Sequence, residues 1–157
     1  MSLVELLTAV AIVGILAGTS INSSRRPLAR QQLLAAARQL ELGIEQARDQ
    51  AMDQQAPCAL GLGKAGWIAP DGGNLPACSH AVRPLLTGDR GAGLQLSHNI
   101  TELQFTTNGL VLGGGTVRLA VDGLVQERCV VISLPLGITR QGLWGGGQCL
   151  PAPKAQA

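Results

Sequence analysis

The chain has 157 residues, a length that allows one domain with a modest core. Its formal net charge of +2 marks neither a general nucleic-acid binder nor an acidic tail. Aromatic residues make up 2% and Tyr is absent, so the core must be built from Leu, Val, Ile and Ala; 21 Gly and 8 Pro forecast many turns after the helical start.

The first 21 residues read MSLVELLTAVAIVGILAGTSI and carry one charge, Glu5. As a helix they would span about 31 Å, close to the hydrocarbon thickness of a bilayer. Gly14 and Gly18 give the small-xxx-small spacing that lets helices approach closely. A cleaved signal peptide would need Lys or Arg ahead of the apolar run, whereas Met1 to Val4 are uncharged. An ordinary signal anchor fits the length but leaves Glu5 unexplained. A carboxylate in an apolar helix is unfavourable by several kcal/mol unless it finds a partner. The free N-terminal ammonium of a neighbouring subunit would serve, and stacked subunits would repeat the pairing. The alternative is a carboxylate that snorkels or is protonated at the interface.

Pro27 starts or kinks the next helical stretch. From there Leu33, Ala37, Leu40, Ile44, Ala47 and Ala51 step by four and three, which sets them on one face. Arg38, Glu41, Glu45, Arg48 and Asp49 lie mostly away from that seam. The small alanines suit close packing against a sheet, with a free coiled coil as the weaker alternative. Gln54 to Pro57 ends the helix.

Short strands broken by glycine follow. The pattern predicts strands at Cys58–Leu62, Gly66–Ala69, Ala81–Leu86, Gly93–Ser97, Glu102–Thr107, Thr116–Val121 and Arg128–Leu134. Asn108-Gly109 and Asp122-Gly123 are turn signals. Gly113-Gly114-Gly115 lacks the Lys-Ser/Thr tail of a phosphate loop and is expected to be a flexible or bulged link. Cys58, Cys78, Cys129 and Cys149 contain no C-x-x-C pair, and His80 and His98 lack metal-ligand spacing with them. Two disulfides in an oxidising compartment are expected. Of the three pairings, Cys58–Cys78 with Cys129–Cys149 is favoured because each closes a short loop; four reduced core cysteines are the alternative. No nucleophile, base and oxyanion donors converge, so no enzyme, metal or cofactor is expected. Trp67 and Trp144 read as partial core or contact residues.

The segment Met1-Ser2-Leu3-Val4-Glu5-Leu6 resembles the processed N-terminus of type IV pilins and type II secretion pseudopilins, F-T-L-[IV]-E-L, with Glu at the fifth position. The resemblance assigns Glu5 the pairing with a neighbour's N-terminal amine, and makes Met1 the terminus that is methylated. Arg25, Arg26 and Arg30 alone would draw the head to the cytoplasmic side, so a short basic leader ahead of Met1, removed by the family's peptidase, is expected to oppose them. Ala47-Arg48-Asp49-Gln50-Ala51, the stretch from Phe105 through Asn108-Gly109 to Gly113-Gly114-Gly115-Thr116, and Val130-Val131-Ile132-Ser133 followed by Gly137-x-x-Arg140 make the chain similar to the GspH/FimT class. Some FimT-branch members bind DNA through G-R-x-R. Here Ile138 replaces the first Arg, which leaves Arg140 as the candidate DNA contact, or as a solvated arginine.

The expected architecture is α+β: a long N-terminal pilin helix packed on a small antiparallel β-sheet head. Residues 1–24 would form the membrane and filament-core helix, 25–55 its amphipathic half, 56–150 the β-rich head and 151–157 a flexible tail. The resemblance implies a minor type IV pilin, with an H-type pseudopilin or a DNA-binding minor pilin as alternatives. Its partners would be other pilin or pseudopilin subunits, the inner-membrane assembly platform, the prepilin peptidase and inner-membrane lipid, with DNA the weakest. The head would lie outside the cytoplasm.

Overall fold

The computed structural model describes residues 3–20, 25–86 and 93–152. Helices α1 (Leu3–Ser20) and α2 (Arg25–Asp53) precede β1 (Cys58–Gly63), β2 (Gly66–Ile68), β3 (Leu94–His98), β4 (Leu103–Phe105), β5 (Val111–Leu112), β6 (Gly115–Val121), β7 (Arg128–Ser133), β8 (Ile138–Gly145) and β9 (Gln148–Pro151). The strands form two sheets, ordered β2-β1-β4-β5 and β3-β6-β7-β8-β9, and every pairing is antiparallel. The fold is α+β, with α2 packed against both sheets.

Helix α2 forms because its interior holds strong helix formers and Pro27 falls in its first turn, where a missing N–H costs little. Its seam is the heart of the core: Leu33, Ala37, Leu40, Ile44, Ala47 and Ala51 are all buried. They meet Val117, Leu119, Val130 and Ile132 from the larger sheet and Leu60, Leu103 and Phe105 from the smaller. The helix ends at a left-handed Gln55, φ 49°. There the Ala56 N–H donates back to the Ala51 carbonyl at 3.3 Å. The Gln55 side chain donates to the Met52 carbonyl at 2.7 Å, which offsets the strain of a non-glycine residue in that conformation.

Trp67 of β2 inserts beneath α2. It is buried, and its Nε1–H donates to the Leu40 carbonyl at 3.2 Å. Gly43 makes room for it. Gln50, the buried polar side chain of the helix, accepts the His80 N–H at 2.9 Å and so fastens α2 to the segment after Cys78. Cys58 and Cys78 are bonded, with Cα atoms 5.1 Å apart, and tie β1 to that same segment. Cys129 and Cys149 are bonded at a Cα separation of 5.7 Å. The second bond links β7 to β9 over the backbone of Gly142 in β8, where a Cβ would lie 2.9 Å from Cys149 Sγ and 2.2 Å from the Leu150 carbonyl oxygen.

The strands differ from the sequence reading at four places. β5, β8 and β9 were not expected, and Ala81–Leu86 is not a strand. Pro84 has no N–H to give a ladder, so this segment only docks beside β2. The Trp67 N–H donates to the Arg83 carbonyl at 3.1 Å, and the Leu85 N–H to the Ala65 carbonyl at 2.9 Å. The glycine triplet is not loose: Gly115 already belongs to β6, and the Gly113 and Gly114 backbones press on the carbonyls of Glu102 and Ile132.

Candidate functional site

Helix α1 carries large apolar side chains that no described residue covers. Leu3, Val4, Leu6, Leu7, Val10, Ile12 and Val13 are 58–77% exposed. At 100° per residue these positions point to all sides, and a helix apolar all round belongs in lipid or inside a bundle. Glu5 lies in the first turn of α1. Met1 lies outside the described residues, so the Glu5 pairing with an N-terminal amine stays an expectation. Among the described residues no helix is long and apolar enough to cross a membrane.

A second apolar surface lies on the head at the C-terminal end of α2. Leu110 and Leu112 flank Val111, Leu134 and Leu136 lie in the β7–β8 turn, and Ile138 begins β8; all five are exposed. The turn is held from below. Arg48 of α2 donates through Nη2 to the Leu136 carbonyl, and the Val111 N–H donates to the Pro135 carbonyl at 2.8 Å. The Leu134–Pro135 peptide is cis. Arg48 is half-buried and reaches into the head, and its Nε is buried without a partner among the described residues. Glu41 also contacts the head, accepting from the Gln141 amide at 2.7 Å. The sequence sets both away from the seam but gives no sign of these partners, which lie 88 and 100 residues further on.

Arg140 sits in β8 beside Val131, exposed on the face of the larger sheet opposite the core. Arg118, diagonal to it on the same face, is paired with Glu127. Lys154, the downstream basic residue, lies outside the described residues. The structure thus gives Arg140 no basic cluster among the described residues, and phosphate binding draws on clusters. His80 and His98 lie far apart in the topology, in the loop after Cys78 and at the end of β3. Among the described residues no group of His, Cys, Asp and Glu could hold a metal ion.

A family model described as Type II transport protein GspH matches residues 36–136. Among solved structures, the type IV minor pilin FimU of Pseudomonas aeruginosa matches at 21% sequence identity and a TM-score of 0.50, over 78% of this chain and 96% of that one. The comparison with curated proteins finds no match.

Proposed function

The chain belongs to the GspH family of type IV pilin-like proteins, and from that premise we propose that it is a minor pilin, a non-catalytic filament subunit that acts at the tip or in assembly initiation. The observation that carries the proposal is the exposed apolar surface of α1 joined to a head whose described core is built from α2 and the two sheets. Such a helix requires other apolar surroundings, first inner-membrane lipid and then the helices of neighbouring subunits. The apolar run of sequence extends beyond the described helix to Met1 and Ile21, a length suited to a bilayer. Glu5 would pair with a neighbour's N-terminal amine, the Met1 amine in a chain that begins there, and so set the register of stacked helices. The disulfides support a head on the oxidising side of the membrane. The prepilin peptidase and the assembly platform are the partners this life cycle needs.

The test is Glu5→Ala in the full chain. The variant is expected to remain in the membrane pellet and to fall about tenfold in sheared filaments, the ratio given by roughly 1.4 kcal/mol of lost pairing. Equal amounts of variant and parent in the filament fraction would remove the pairing role. The description of the matching family favours a second reading, a type II secretion pseudopilin. Deleting the chain separates the two: loss of surface filaments supports the pilin, and accumulation of secreted proteins behind the outer membrane supports the pseudopilin.

A further inference from the structure

The larger sheet has an open cavity of about 510 Å³ on the face opposite its core, within the range of roughly 300–1,000 Å³ typical of small-molecule sites. It is separate from α1 and from the β7–β8 turn. One wall is the half-buried indole of Trp144. The guanidinium carbon of Arg118 stands 5.6 Å from the ring centroid. Two hydrogen bonds to the Glu127 carboxylate, from Nε and Nη2, hold that guanidinium in place. The same hydrogen bonds, reinforced by the Arg118 charge, keep the Glu127 carboxyl below the usual carboxylate range, so the pair stays ionised and mutually neutralised at neutral pH.

The rest of the lining is polar and hydrogen-bonding. Asn99 accepts the Thr116 N–H through Oδ1 at 2.7 Å, which fixes its amide and leaves its NH2 group as a donor. His98 Nδ1 lies 2.8 Å from the Ile100 carbonyl, which can only accept, so Nδ1 carries a proton and the ring leaves Nε2 as its second polar atom. Ser97 and Gln148 add a hydroxyl and a second amide, and Gln148 sits beside Cys149, where the disulfide to Cys129 holds β9.

An aromatic surface beside uncommitted amide, hydroxyl and imidazole groups suits a ring with an apolar C–H face and a polar rim. With the Arg118 charge already balanced by Glu127, the cavity offers little to a polyanion. We propose that this cavity binds a neutral oligosaccharide, with Trp144 as the stacking surface and Asn99, Gln148 and His98 as hydrogen-bonding groups.

The two tryptophans supply the test and its control. The full chain in detergent micelles would be titrated with maltotetraose and, separately, with N-acetylglucosamine tetrasaccharide, reading the two indole N–H signals by NMR. At least one sugar is expected to shift the Trp144 signal saturably, with a Kd of about 1 mM or tighter. The Trp67 signal, buried and bonded to Leu40, should stay still. Gln148→Ala, at an exposed residue, is expected to weaken binding about fivefold with both indole signals otherwise in place. The proposal is overturned if neither sugar moves Trp144 up to about 20 mM, or if Trp67 moves with it. It is equally overturned if an oligothymidylate shifts Trp144 where both sugars fail.

Discussion

Gly43 looks out of place. It lies mid-helix, where Ala would ordinarily add about 0.8–1 kcal/mol of stability. Its reason is Trp67: a Cβ at this position would stand 2.2 Å from Nε1 and 2.3 Å from Cδ1 of the indole. Gly43→Ala must therefore displace the largest side chain under α2 and break its hydrogen bond to Leu40. Overpacking costs about 1–3 kcal/mol and the lost hydrogen bond about 1 kcal/mol, so the clash outweighs the propensity gain. A net loss of about 2 kcal/mol in urea unfolding is expected. Adding Trp67→Leu should turn the alanine from harmful to neutral or favourable, the non-additivity that contact implies. Stabilisation by Gly43→Ala alone would show that the indole is not seated there.

At the scale of elements, α2 and the β7–β8 hairpin act together. The turn from Leu134 to Gly137 exposes leucines yet is held by Arg48 and by the Val111 N–H. Removing the guanidinium by Arg48→Ala takes one charge-assisted bond away and also relieves a buried Nε that has no partner. The first effect is the larger at the turn, because the guanidinium ties the turn to α2 and the exposed Leu136 carbonyl then bonds to water instead. Amide exchange at Val111 should quicken about fivefold, while β6 and β7 centre amides stay protected; unchanged exchange at Val111 would mean the turn holds itself. How legible each element was follows from its chemistry. The α2 seam could be read because a period of 3.6 survives in Leu33, Ala37, Leu40, Ile44, Ala47 and Ala51. β6 could be read because Val117, Leu119 and Val121 alternate with exposed neighbours. β8 could not, since Gly142 and Gly145 interrupt it and its face lacks apolar alternation. β9 is an edge strand four residues long, paired with β8 and tied to β7 by the Cys129–Cys149 bond, neither of which a pattern in its own residues announces. Arg48 escaped because its role depends on a carbonyl 88 residues away.

For the whole molecule, the question is what keeps so aromatic-poor a head folded. One Phe and two Trp serve 157 residues, and much of the helix side of the core is alanine. Each disulfide closes a 20-residue separation, which the chain-entropy account values at about 3 kcal/mol. Two together approach the total stability of a small domain, about 5–15 kcal/mol. The bonds are not equivalent. Cys58 and Cys78 are both buried against α2, whereas Cys149 is half-exposed at the edge of the larger sheet. A mild reductant should therefore open Cys129–Cys149 first, freeing β9 and leaving the α2 core intact. Replacing Cys129 and Cys149 with Ser should lower the unfolding free energy of the full chain in micelles by about 3 kcal/mol. Replacing Cys58 and Cys78 with Ala should lower it further, because packing is lost as well as a crosslink. If both double variants unfold within about 0.5 kcal/mol of the parent, the helix–sheet core alone sustains the head. The expected result ties stability to location: α1 keeps its apolar surface whether or not the bonds form, but the head reaches full stability only where cysteines oxidise. A head whose cysteines stayed reduced would then lack both crosslinks, about 6 kcal/mol by the chain-entropy account, and this favours the proposed placement of the head in an oxidising compartment.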